Sequence, residues 1–92
     1  MGKEAIRLKI YGTVQGVFFR QSTREKANEL NISGWVRNCE DGSVEVEAEG
    51  EETGMKVFIE WCHRGPARAI VSKVEIKTIG QQNYSGFEIR RK

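Results

Sequence analysis

The sequence predicts an α+β sandwich, with two helices lying on one face of a mostly antiparallel sheet. Three observations carry this expectation. Apolar and charged residues alternate along 6–10 and 44–48, the period of strands with one face buried. Met55, Phe58, Ile59 and Cys62 recur at i, i+3, i+4 and i+7, the spacing of a helix with one apolar face. The breakers between these runs set the order strand, helix, strand, strand, helix, strand, plus a short terminal strand.

The first strand is expected over residues 5–11, with Ile6, Leu8 and Ile10 on one face and Arg7, Lys9 and Tyr11 on the other. A helix over 21–30 follows, with a narrow stripe of Thr23, Ala27 and Leu30. Asn31 ends it, because asparagine tolerates the left-handed C-terminal position. Residues 34–39 read as a second strand and 44–49 as a third, with Val44, Val46 and Ala48 facing in and Glu45, Glu47 and Glu49 facing out. Glu40-Asp41-Gly42 between them is a hairpin signal. A second helix spans 52–64, with Glu51 and Glu52 near its start and His63 and Arg64 at its end, both favourable to the helix dipole. Gly65-Pro66 stops it. The fourth strand covers 70–79, with Val74 and Ile76 inward, and a polar turn over 80–86 leads to a last strand at Phe87 and Ile89. This order is the split βαβ, ferredoxin-like plan. Both helices would cover one side of the sheet and leave the other exposed and charged. Trp35, Phe58 and Trp61 are expected in the core or at its rim.

Ninety-two residues make one domain, 1–92, with no room for a second core. With 38% hydrophobic and 30% charged residues, the composition is that of a globular chain rather than a disordered one. Fifteen basic and 13 acidic residues leave a net charge of +2, too balanced for a broad nucleic-acid or membrane footprint. Any anion site should therefore be local. No run approaches the ~20 apolar residues of a spanning helix, and residues 1–20 lack the apolar core of a secretory signal. Cys39 and Cys62 form no C-x-x-C, so a cytoplasmic location with free thiols is expected.

The chemistry concentrates in residues 12–20, Gly-Thr-Val-Gln-Gly-Val-Phe-Phe-Arg. Two glycines within five positions permit a tightly curled backbone between a strand and a helix. Such a loop points successive N–H groups into one concavity, and the helix dipole adds to its affinity for anions. Arg20 supplies a planar, permanently charged fork suited to two phosphate oxygens. The plainer alternative is an ordinary strand-to-helix loop with a solvated arginine. The stretch is neither a P-loop, since no Gly-Lys-Ser/Thr follows, nor a dinucleotide fingerprint, since G-x-G-x-x-G is absent.

The same residues resemble a known family. Residues 12–20 look like the first signature of acylphosphatases, G-x-V-Q-G-V-x-F-R, with Phe18 at its variable position. Gly34-Trp35-Val36-Arg37-Asn38, followed by Asp41-Gly42-Ser43-Val44-Glu45, looks like the second. The likeness continues through Glu49-Gly50, Gly65-Pro66 and Phe87-x-Ile89-Arg90. It implies a small stand-alone, monomeric enzyme that hydrolyses the carboxyl–phosphate bond of acyl phosphates to a carboxylate and inorganic phosphate. It further implies that Arg20 and the backbone N–H groups of Gln15, Gly16, Val17, Phe18, Phe19 and Arg20 hold the phosphoryl group, and that Asn38 positions the attacking water. No metal, other cofactor or covalent phosphoenzyme is implied, and the partner is a small-molecule substrate rather than nucleic acid or membrane. Without the resemblance, Asn38 reads first as an ordinary asparagine flanking a hairpin turn.

Rival readings are weaker on chemical grounds. An RNA-recognition module shares the plan, but an acidic third strand would repel a phosphate backbone. A non-catalytic phosphate- or anion-binding module would need the loop and Arg20 but not Asn38. A Cys39–His63 nucleophile pair lacks an orienting third group, and one His with two scattered Cys cannot form a four-ligand zinc site.

Overall fold

A computed structural model describes residues 2–91 of the chain. Its elements run β1 (Lys3–Thr13), α1 (Phe19–Glu29), β2 (Ser33–Asn38), β3 (Val44–Glu51), α2 (Glu52–Arg64), β4 (Ile70–Ile79) and β5 (Phe87–Arg90). The sheet order is β4-β1-β3-β2-β5. β3 lies between β1 and β2 and is antiparallel to both, so the β1–α1–β2 crossover is split by an inserted strand. β5 extends the edge parallel to β2. This is the ferredoxin-like architecture with an extra terminal strand.

One face carries the apolar core. Ile6, Leu8 and Ile10 of β1, Val36 of β2 and Val44, Val46 and Ala48 of β3 are buried beneath Phe19, Thr23 and Ala27 of α1 and Met55, Phe58 and Cys62 of α2. Phe19 meets Trp61 at a ring-centroid distance of 5.7 Å, and Phe58 meets Phe87 at 6.2 Å. Both contacts adopt tilted or edge-on geometry, which suits aromatic quadrupoles. Helix α1 begins two residues before the expected start, because Phe19 joins its buried stripe. It ends as expected. Asn31 adopts φ 58°, Ile32 N–H donates to the Ala27 carbonyl at 2.8 Å, and Asn31 N–H donates to Asn28 at 3.3 Å, closing a Schellman motif.

The opposite face departs from expectation. Glu47 and Glu49 point away from the core but are only 5% and 3% exposed. Residues 80–86 cross this face. Glu49 accepts the backbone N–H groups of Gln82 (2.8 Å) and Tyr84 (3.2 Å), while Glu47 accepts the Tyr84 hydroxyl and the Arg7 guanidinium. Trp35 also belongs here: it pairs with Glu47 across the strands and donates its indole N–H to the Tyr84 hydroxyl at 3.1 Å. The acidic stripe is thus neutralised and largely covered, so it is not the free repulsive surface expected against RNA. Ile76 lies opposite Leu8 in register yet is 46% exposed, because β4 forms the sheet edge.

Candidate active site

β1 delivers the chain to the site through a bulge. Its register with β4 shifts between Tyr11 and Gly12, where Gly12 adopts φ 129°. A Cβ on Gly12 would lie 2.1 Å from the Ile70 carbonyl oxygen, so only glycine lets β4 approach this closely. Beyond Thr13 the chain curls, with Gly16 at φ 75° and Phe18 at φ 62°. Glycine adopts this region freely; a bulky phenylalanine rarely does, and Phe18 is 66% exposed. Phe18 occupies the N-cap of α1, where no side chain caps the helix and no acidic residue stands in the first turn. The first-turn N–H groups have no intrahelical acceptors, and the dipole makes this end favourable to an anion.

Strand register brings Asn38 to the same place. Ile10 and Asn38 both pair with Val44, so they share one row across the sheet, near the point where β1 gives way to the loop. Arg37 pairs with Arg90, which sets the end of β5 beside Asn38. The resulting cavity of about 280 Å³ is lined by Val14, Gly16, Phe18, Phe19, Arg20 and Gln21, with Asn38 from β2 and Ile89 and Arg91 from the chain's end. Arg20 and Asn38 are half-buried, and neither takes part in a side-chain hydrogen bond or ion pair among the described residues. A guanidinium and a carboxamide, neither with a side-chain partner among the described residues, therefore meet at one opening.

Gln15 and Val17, expected to contribute backbone N–H groups, direct their side chains away from the cavity. Val17 packs against the core, and Gln15 turns its side chain toward the β2–β3 hairpin. Ile89 and Arg91 at the cavity wall escape sequence reasoning, because only the parallel pairing of β5 with β2 places the chain's end here. The sequence signal was an Arg90-Arg91 pair at the end of the last strand.

A second depression adjoins through Asn38 and Arg91 and is bounded by Lys9, Arg37, Cys39, Glu40 and Asp41. Asp41 accepts hydrogen bonds from the Ser43 hydroxyl (2.6 Å) and backbone N–H (3.0 Å), with Lys9 Nζ at 3.2 Å. These bonds favour the ionised form and lower its pKa to about 2. Cys39 is free and half-buried, and Cys62 is free in the core, where burial raises its pKa. His63 sits at the end of α2 with Nδ1 3.0 Å from the Ile59 carbonyl oxygen and lines neither depression. The imagined Cys–His pair is not assembled. Among the described residues no His, Cys, Asp or Glu cluster could hold a metal ion, and no helix is long and apolar enough to cross a membrane.

Fold and cavity define an α+β domain of ferredoxin-like topology, with a glycine curl, a helix start and an arginine at one opening. A family model described as acylphosphatase matches residues 6–89. An acylphosphatase from Pseudomonas paraeruginosa is 48% identical over 91 residues, covering 99% of this chain and 100% of that one. The structure of an acylphosphatase from Coxiella burnetii superposes with a TM-score of 0.92 at 43% identity, over 96% of this chain and 93% of the other. That of Bacillus subtilis acylphosphatase gives 0.92 at 31% identity, over 95% and 98%. The chain belongs to the acylphosphatase family, a class of hydrolases.

Proposed function

We propose that this chain, acting as a single-domain monomer in the cytoplasm, hydrolyses acyl phosphates to a carboxylate and inorganic phosphate without a metal or other cofactor. The observation that carries the reading is that Arg20, Asn38 and the curl through Gly16 and Phe18 line one cavity. The Arg20 fork and the N–H groups of the curl and first helical turn hold the phosphoryl oxygens, concentrating positive charge where the transition state carries negative charge. The Asn38 side-chain carbonyl oxygen accepts a hydrogen bond from the attacking water and so fixes the water oxygen relative to phosphorus.

The water oxygen forms a bond to phosphorus as the bond from phosphorus to the acyl oxygen breaks. The carboxylate leaves with that electron pair, and the water proton passes to a phosphoryl oxygen. Asparagine is no base at neutral pH. An acyl phosphate has a good leaving group and phosphoryl transfer a loose transition state, so positioning and electrostatics are enough.

The test is hydrolysis of benzoyl phosphate with a chelator present, by the native chain and by Asn38→Ala. The native chain should turn over undiminished by the chelator. Asn38→Ala should lose about 10²-fold or more in kcat while its affinity for inorganic phosphate stays the same, as when one aligned transition-state donor is removed. Phosphate binding without hydrolysis by the native chain would instead favour the anion-binding module. Equal losses of affinity and turnover would make Asn38 a binding residue.

A further inference from the structure

The side chain of Gln15 makes a contact that phosphate binding does not explain. Its Nε2 lies 2.8 Å from the Cys39 carbonyl oxygen and 2.9 Å from the Ser43 carbonyl oxygen, so both amide hydrogens are used. These are the two carbonyls that flank the turn of the β2–β3 hairpin. Cys39 N–H donates to Ser43 at 2.8 Å, and Gly42 N–H donates to Cys39 at 3.1 Å. The Gln15 amide fills the second acceptor position on each oxygen. It thereby clamps the carbonyl of Cys39, the residue directly after Asn38, reaching 24 and 28 residues along the chain. The backbone on either side of Gln15 belongs to the other half of the site, since Val14 and Gly16 both line the cavity.

We propose that Gln15 is a positioning residue, whose carboxamide fixes the hairpin that carries Asn38 at a set distance from the phosphate-holding loop. The inference rests on the reading of Asn38 as the residue that holds water. Phosphate is gripped on one side of this amide and water on the other. Removing its donors leaves each half intact but frees one to shift against the other, and a displacement of about 1 Å between reacting groups can cost about 10²-fold in rate. The first strand and α1 hold the loop independently of Gln15, so phosphate affinity does not depend on the clamp.

The experiment is a double-mutant cycle on benzoyl phosphate hydrolysis, using Gln15→Met, Asn38→Ala and their combination. Methionine keeps the unbranched stem and volume and removes both donors. Gln15→Glu, of the same shape with no N–H at neutral pH, serves as a second variant if Gln15→Met fails to fold. Thermal unfolding and titration with inorganic phosphate establish that each variant is native. The expected result is a fall of about 10- to 10²-fold in kcat for Gln15→Met, with KM and the inhibition constant of phosphate within about threefold of native. In the Asn38→Ala background the same change should cost less than about twofold, because with no water held there is nothing to misalign. Equal losses in both backgrounds, or phosphate affinity that falls with kcat, would make Gln15 merely structural and overturn the proposal. Full turnover in Gln15→Met would do the same. Full turnover in Asn38→Ala would overturn the water-site reading itself, and the coupling with it.

Discussion

Arg20 stands one residue inside α1 and lines the cavity together with the loop that opens that helix. In the proposed function its value lies in shape as much as charge, since a guanidinium presents parallel N–H donors to two oxygens and an ammonium presents a point charge. Arg20→Lys is therefore expected to lose about 10²-fold in kcat/KM on benzoyl phosphate although the net charge is unchanged. A variant within about threefold of native would show that charge alone suffices. Arg20 and Asn38 were legible as candidates because both fall in stretches that resemble family signatures, and strand register brings them to one cavity. The Gln15 clamp was not legible. Its partners are backbone carbonyls, which carry no residue signature, and they lie across a strand pairing that no local spacing encodes. Arg91 was hidden for a related reason, as its place depends on which strand takes the terminal segment as a neighbour.

Helices and strands were more open to reading than single contacts. The alternation along β1 and β3 and the i, i+3, i+4, i+7 stripe of α2 fix which face each presents, and Asn31 and Gly65 mark the helix ends. Alternation does not say what lies over a face, which is why Glu47 and Glu49 read as exposed when residues 80–86 cover them. The bulge at Gly12 is the element-level feature on which the candidate site most depends, because it turns the end of β1 into the curl that lines the cavity. Gly12→Ala would place a methyl group 2.1 Å from the Ile70 carbonyl oxygen at φ 129°, and backbone cannot yield as a side chain can. A loss of at least about 2 kcal/mol is expected from the clash and the strained dihedral. Gly80→Ala is the control: a Cβ there has nothing within 4 Å, and the change should stay within about 0.5 kcal/mol. Urea midpoints of the two variants would decide it, and equal midpoints would mean that the bulge relaxes without cost.

At the scale of the whole molecule the sheet separates two kinds of cohesion, an apolar core under the helices and a charged, hydrogen-bonded layer on the other side. The second layer makes stability depend on pH. Burial pushes the Glu47 carboxyl up, but hydrogen bonds from Tyr84 and Arg7 outweigh this and hold it below its ordinary value. Hydrogen bonds from Ser43, with Lys9 nearby, lower Asp41 to about 2, and the Tyr11 hydroxyl with Lys73 lowers Glu75. A carboxyl whose pKa is lower folded than unfolded stabilises the fold at pH values above the unfolded value, about 4. That contribution disappears as pH falls through the folded value. The melting temperature should accordingly hold between neutrality and about pH 5, then decline below about pH 4. Tyr84→Phe isolates the Glu47 part, because it removes the hydroxyl that donates to Glu47 and accepts from Trp35. At neutral pH the variant should lose about 1.5–3 kcal/mol, the range for a hydrogen bond to a charged group. Protonation of Glu47 in the native chain weakens that same bond, so the gap between the two proteins should narrow steadily from pH 5 toward pH 2. Melting curves of both across that window are the measurement. A gap that stays constant down to pH 2 would mean that Tyr84 contributes through packing and the Trp35 bond, with no share in holding the Glu47 charge.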